Sequence, residues 1–308
     1  DAFGGTGSVA YRMKQEGKEV TYNDLLPFNY LIGKALIENG NVKLEEREIE
    51  ELLRCHANIS YPDFIESTFK DIYFTDEENH WLDIVLTNIR WMTDPYKQAI
   101  AYFALFQSCI IKRPYNLFHR RNLYVRLQDV ERSFGNKKTW DTPFEVHFRK
   151  FVREANNAVF DNGTCCRAMN NDVFNILPHH DLVYIDTPYL NDAGVGVDYA
   201  DFYHFLNGIV NYDRWDSLID YNSKHLRLRR QFNEWNDASL IRNAFVRLFT
   251  LFQDSVMVIS YRSNGIPAIE ELVGILRELN KEVRIHRGVE MKYALSKRQS
   301  SEVLIIAR

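Results

Sequence analysis

Leu182-Val183-Tyr184-Ile185-Asp186-Thr187-Pro188-Tyr189 is the stretch on which the fold turns. Its first four residues are apolar or aromatic and predict a strand buried on both faces. In open α/β sheets such a parallel strand ends at a ligand crevice, and here a carboxylate, Asp186, stands at that end. Pro188 locks its own backbone and restricts Thr187, so the Asp186 carboxylate and the following carbonyls point in fixed directions. Acceptors beside an aromatic ring suit an exocyclic amino group on a planar base. The acceptors take the N–H bonds while Tyr189 stacks on the ring, a contact of about 1–3 kcal/mol. Four residues alone also describe a strand followed by a proline turn with a surface tyrosine.

Outward from this strand, 256–260 reads as a second central strand and 267–279 as a helix. The chain closes on apolar strands at 283–287 and 302–307. At the other end, Asp1-Ala2-Phe3-Gly4-Gly5-Thr6-Gly7 is a turn, with Ser8 as the cap of a helix to about residue 16. Residues 19–22 form a strand stopping at Asn23-Asp24, and 28–37 return to helical periodicity. Further helices are expected at 45–54, 62–72, 95–111, 144–158, 199–210 and 237–253, with Pro95 suited to a first helical turn. Strands alternating with helices at both ends of the chain predict an α/β domain carrying a second lobe.

The 308 residues are 45% hydrophobic and 26% charged, with 14 glycines and 8 prolines, which excludes collagen, a disordered tail and a disulfide scaffold. Cys55, Cys109, Cys165 and Cys166 contain no CxxC pair, so a reduced, cytoplasmic protein is expected. No apolar run of membrane-spanning length exists, and no pair of histidines or cysteines has metal-site spacing. The net charge of -4 is uninformative, but its distribution is not. Residues 38–83 carry 13 Asp/Glu against 4 Lys/Arg, whereas 112–150 carry 10 Lys/Arg against 4 Asp/Glu, interleaved with seven aromatics. That reversal makes Arg113, Arg120, Arg121, Arg126, Lys137 and Lys138 candidates for phosphate or base contacts. Lys224 and Arg227, with Arg229 and Arg230, form a second basic cluster. A solvated face with its own small aromatic core is the bland reading of the same block.

Asp1-x-Phe3-x-Gly5-x-Gly7 places a carboxylate, then glycines, before a helix start. This is a ligand loop or an ordinary tight turn; it is neither GxGxxG nor a P-loop. Asn23-Asp24, after the next strand, offers a carboxylate to a ribose diol or closes the strand as an Asx turn.

In this order the pieces resemble the S-adenosylmethionine-dependent, adenine-N6-specific DNA methyltransferases of the alpha class. There a DxFxGxG-type motif precedes a long target-recognition insert, and a DPPY-type motif follows it. Asn170-Asn171-Asp172-Val173-Phe174, residues 199–215, 256–261 and 302–306 look like further parts of that family. The resemblance implies a Rossmann-like sheet, mixed and mostly parallel, formed by 1–37 and 160–308. A mostly helical insert, 38–159, would carry the target-recognition region. It implies that Asp1, Phe3, Gly5 and Gly7 lie against the methionine part of S-adenosylmethionine and that Asn23-Asp24 hold its ribose. Asp172 would accept from its adenine, with Phe174 packing nearby. Asp186 and the Thr187 carbonyl would hold the target amino group, Pro188 would fix the turn and Tyr189 would stack. Duplex DNA is the implied partner, its target base flipped out, with no metal, no membrane and a monomeric enzyme in a bacterial restriction-modification system.

Thr187 replaces the family's usual proline, and the strand that precedes the first motif is absent before Asp1, so an upstream segment or another chain is expected to supply it. Methyl transfer to RNA adenine or to cytosine N4 is the nearest alternative activity. A non-catalytic DNA-binding subunit on the same fold is the alternative of another class.

Overall fold

In chain order the strands of the computed structural model are β1 (Thr21–Asn23), β2 (Arg167–Met169), β3 (Leu182–Ile185), β4 (Leu190–Asn191), β5 (Val256–Arg262), β6 (Gly265–Ile266), β7 (Val283–Met291) and β8 (Ser300–Ala307). The structure describes residues 1–130, 137–188, 190–191, 194, 196, 198–291 and 300–308. Four strands pair in the order β3-β5-β8-β7, and β1 pairs with β2. β1–β2 and β3–β5 are parallel; β5–β8, β7–β8 and β4–β6 are antiparallel. The protein is therefore a mixed α/β structure, with more antiparallel pairing than expected because β7 and β8 are adjacent partners.

The chain start bridges the two parallel pairs. Asn23 N donates to Asp1 O at 2.9 Å and Gly4 N to Asn23 O at 2.7 Å, while Ala2 N donates to Tyr184 O at 3.0 Å. Asp1 and Ala2 are thus bonded to β1 on one side and β3 on the other.

Period-two burial fixes the sheet's orientation. Val183, Ile185, Met257, Ile259, Tyr261, Val303, Ile305 and Ala307 are buried and share a core with Phe245, Leu248, Leu272 and Leu276 of helices Ile241–Leu251 and Ile269–Glu278. The expectation that β3 is buried on both faces is corrected here. Leu182 is 43% exposed and Tyr184, half-buried, borders a cavity, so the second face of β3 is open.

A separate core belongs to the helices. Pro95–Ile111, capped by Asp94 through the N–H groups of Tyr96 and Lys97, packs with Phe144–Ala158. Helix Asp76–Arg90, which hydrophobic periodicity did not announce, begins at a Thr75/Glu78 capping box. Phe205, Leu206, Ile209 and Trp215, which follow the sheet strand β3 in sequence, pack into this helical core. Among the described residues no helix is long and apolar enough to cross a membrane, and no group of three or more His, Cys, Asp or Glu could hold a metal ion.

This core contains cations. Arg113, 1% exposed, donates to the carbonyls of Tyr73 (2.9 Å), Arg120 (3.1 Å) and Leu117 (3.3 Å) and to Asn122 Oδ1, with its guanidinium 4.4 Å from the Tyr73 ring centroid. Burial pulls its pKa down to about 9, which leaves it charged at neutral pH. Arg126 forks onto Glu78 at 2.7 and 2.9 Å, and Lys112 reaches the same carboxylate at 2.8 Å. Burial works against that carboxylate, yet Arg126 and Lys112 hold it below its ordinary pKa. Arg113 and Arg126 are consequently withdrawn as DNA contacts: both are buried, and their guanidinium NH groups are bonded inside the protein, leaving only Arg126 Nε without a partner among the described residues.

Arg113→Ala should destabilise the protein by at least about 3 kcal/mol, because several buried acceptors lose a charged donor at once. Arg120→Ala, at an exposed position, should leave stability unchanged. Urea denaturation of the two variants checks the contrast.

Candidate active site

The C-terminal end of β3 and the loop Asp1–Gly5 face one cavity of about 470 Å³. Its wall includes Asp1, Phe3, Gly5, Asn23, Asp24, Asp172, Asp186, Thr187 and Pro188, residues scattered over the sequence from one end of the expected motifs to the other. Tyr189 lies outside the described residues. Gly7 faces a neighbouring cavity of about 240 Å³ with Tyr11, Ile32 and Leu36.

The loop is shaped by its glycines. Gly7 sits in the left-handed region, φ 79°, and is the N-cap of helix Ser8–Gln15, the position expected for Ser8. At Gly4 a Cβ would lie 2.0 Å from the Tyr22 ring. Tyr22 is fully buried beneath the loop and donates its hydroxyl to Gly5 O at 2.7 Å.

Three of the carboxylates differ in what occupies them. Asp24 Oδ2 accepts from Gly5 N and Oδ1 from Leu26 N, both at 2.8 Å. Burial raises its pKa against the pull of Leu26, Gly5 and Asn29. Asp1 has both carboxylate oxygens buried with no partner among the described residues. Asp172 caps the turn Val173–Asn175 through Phe174 N at 3.0 Å while its side chain stays exposed on the cavity wall. Asn23 donates to the carbonyls of Ala2 and Asn171 and accepts from Asn171 N at 3.1 Å. Its amide is a joint between the strand ends, which places it in the wall and not among groups offered to a ligand.

Phe174 does not reach the cavity. One face stacks on Trp235 at 6.1 Å and the Arg247 guanidinium lies 3.8 Å from the ring centroid. Trp235 takes the wall position instead, edge-to-face with Phe3 at 5.3 Å. The segment Phe232–Asn236 and residues Asp198–Ala200 complete the far wall. Sequence reasoning missed the former; its one sign was an aromatic pair in a polar stretch with no strand or helix period.

Asp186 is exposed to the cavity but surrounded by protein, and its pKa is raised to about 6 by desolvation and then by the charge of Glu302. Thr187 is buried, and its hydroxyl oxygen has no partner among the described residues.

A family profile described as D12 class N6 adenine-specific DNA methyltransferase matches residues 1–258. The chain belongs to that family. It is a DNA methyltransferase specific for adenine N6. The type II methyltransferase M2.HphI of Haemophilus parahaemolyticus is 29% identical over 294 residues, which cover 92% of this chain and 82% of that protein. The type II methyltransferase M.FokI of Planomicrobium okeanokoites is 26% identical over 99% of this chain and 46% of its own length. The modification methylase StsI of Streptococcus sanguinis is 26% identical over 91% and 42%, so the chain spans less than half of these two longer relatives. No solved structure matches it.

The basic residues outside the cavity divide sharply in this methyltransferase. Arg227, half-buried, lies between Asp201 (3.4 Å) and Asp220 (3.3 Å), so part of its charge is met within the protein. Lys137 pairs with Asp141 at 2.9 Å on the surface, and Arg121 donates through Nε to Asp71 O at 3.0 Å. Arg120, Arg121, Lys138 and Lys224 are exposed.

Methyl transfer should fall as pH is lowered through about 6, where Asp186 takes up a proton and loses an acceptor. Glu302→Gln should move that acid limb to lower pH. Since the folded-state value lies above the ordinary aspartate value of about 3.9, the ionised side chain costs stability above it. Asp186→Asn should therefore raise the thermal midpoint at pH above 6 while abolishing turnover; pH–rate profiles and melting curves read the two effects.

Proposed function

We propose that this enzyme transfers the methyl group of S-adenosylmethionine to N6 of an adenine flipped out of duplex DNA, as the modification activity of a bacterial restriction-modification system. The observation that carries the reading is that the Asp1–Gly5 loop and the Asp186-Thr187-Pro188 strand end share one cavity. The names of the relatives, type II methyltransferases and modification methylases, support the biological role. The hydrogen bonds that join Asp1–Ala2 to both β1 and β3 support one continuous Rossmann-like sheet, with residues 38–159 as an inserted helical lobe that carries target recognition. We place the activity in the cytoplasm and take the monomer as the working unit.

The chain's own groups fit the cofactor. The unpartnered Asp1 carboxylate is suited to an ammonium group, Asp172 to an adenine amino group, and the Gly5 region lets a ligand approach the backbone. Asp24 serves chiefly by holding Gly5 in place, with lone pairs left for ribose hydroxyls. When bound, the sulfonium supplies an activated methyl and a good leaving group. The protein then has to align. Asp186 and the Thr187 carbonyl accept from the amino group and hold its nitrogen lone pair toward the methyl, while Pro188 keeps the two acceptors in register.

The decisive experiment is transfer of labelled methyl groups to plasmid duplex, mapped to base and site. Label on adenine N6 in duplex supports the reading; label on cytosine, or on RNA alone, overturns it. Asp186→Ala should fold and bind S-adenosylmethionine but lose transfer by at least a factor of about 100. Thr187→Val removes an orphaned hydroxyl and should gain about 1 kcal/mol of stability with turnover retained, because the assigned acceptor is the main-chain carbonyl.

The DNA face is assigned to Arg120, Arg121, Lys138 and Lys224. Neutralising Arg120 and Arg121 together should weaken duplex binding and flatten its salt dependence, the log–log slope shrinking by about 0.9 for each phosphate no longer neutralised. Affinity titrations across a salt series measure both.

A further inference from the structure

Phe232 is 79% exposed, the highest value among the large apolar side chains of the described residues, and it lines the same cavity as Asp186 and Thr187. A lone exposed aromatic on a loose loop would mean little. This one is presented by a loop stapled on both sides. Upstream, Arg230 Nε donates to Asp201 Oδ2 at 2.7 Å. Downstream, Asn233 Oδ1 accepts from Trp235 N at 3.0 Å, and Glu234 pairs with Arg247 at 2.9 Å. Trp235 itself is buried, edge-to-face with Phe3 and with Phe245 at 5.3 Å each. Only Gln231 and Phe232 lie between the staples, too few to carry Phe232 into either core.

We propose that Phe232 is a base-stacking residue of this methyltransferase, the aromatic wall against which the extruded adenine rests once it has left the duplex. The inference rests on the reading that the cavity takes a flipped adenine. A planar base entering toward Asp186 needs a flat apolar surface to replace the stacking it gave up, and an aromatic ring supplies that without regard to hydrogen-bonding edges. The same step covers a ring that otherwise faces water. Asp186 and the Thr187 carbonyl then fix the position of the amino group, and Phe232 fixes the plane of the ring. The staple to Trp235 and Phe3 links that plane to the Asp1–Gly5 loop.

The test compares the purified enzyme with Phe232→Ala and Phe232→Tyr on a short duplex containing the mapped target site, and on the same duplex with a mismatch opposite the target adenine. Phe232→Ala should lower kcat/KM on the matched duplex by about 10-fold to 100-fold, the size of one base–aromatic stack. Its thermal midpoint and its S-adenosylmethionine affinity should stay unchanged, since the side chain is exposed and stacks on the base, not the cofactor. Phe232→Tyr should keep near wild-type rates. The mismatched duplex should restore most of the activity of Phe232→Ala, because a loosely held adenine needs less help to leave the stack. A Phe232→Ala enzyme as active as wild type on matched duplex overturns the proposal. So does a loss of equal size on both duplexes, or a loss that follows weakened S-adenosylmethionine binding, which would assign the ring to the cofactor. Absence of transfer by the unmodified enzyme overturns the underlying reading as well; wild-type transfer with an unaffected Phe232→Ala overturns this inference alone.

Discussion

The bond from Gly5 N–H to Asp24 Oδ2 sits at the centre of everything the cavity offers. A buried carboxylate is costly unless donors saturate it, and Asp24 is met by Gly5, Leu26 and Asn29. In return it holds a glycine loop that would otherwise be free to move. Beneath the loop, Tyr22 occupies the space that Gly4 and Gly33 leave by lacking a side chain, and its hydroxyl binds the carbonyls of Gly5 and Asn29. Main-chain bonds from Asp1–Gly4 to β1 and β3 complete the clasp. The position of the Asp1 carboxylate, which has no internal partner among the described residues, follows from these bonds and not from its own contacts.

The same economy of donors separates the buried basic residues from the exposed ones. A guanidinium that enters a core must find an acceptor for each N–H, and Arg113 finds them in carbonyls at the ends of short turns. Arg126 and Lys112 converge on one carboxylate, Glu78, which offsets part of the positive charge held in the interior of the basic block. Arg120, Arg121, Lys138 and Lys224 are among the basic residues that remain exposed. Arg120, Arg121 and Lys138 lie in the same stretch of chain as the buried Lys112, Arg113 and Arg126.

Sequence patterns were legible where a local rule sufficed. Helices Pro95–Ile111 and Phe144–Ala158 match their expected bounds because an apolar stripe and a proline-bearing first turn mark them. β3 was legible from its apolar run, though only one of its faces is closed. Helix Asp76–Arg90 was not, since its Thr75/Glu78 box lies inside an acidic stretch whose charge masks the apolar period. Charge alone could not sort Arg113 and Arg126 from Arg120 and Arg121, because burial is set by partners 40 to 53 residues away in sequence at Tyr73. For the same reason Asp24 and Asn23 read as ligand groups while the fold uses much of their capacity itself. Phe174 is held away from the cavity by Trp235 and Arg247, partners far from it in sequence.

Asp24 and Asp186 show how one chemistry serves two ends. Burial raises the pKa of both. In Asp24 three donors oppose that rise, and the carboxylate they saturate fixes a loop. In Asp186 a second negative group, Glu302, adds to it, and no donor among the described residues is arrayed against it. A carboxylate that scaffolds must be saturated by the protein; one that acts must keep its lone pairs for the substrate and bear the electrostatic cost until the substrate arrives. An amino group entering the cavity would supply the missing donors, so the unfavourable burial of Asp186 in the free enzyme becomes affinity for the group to be methylated. Delivering that residue on the end of a paired strand, and not on a loop, keeps it from escaping to water in the meantime.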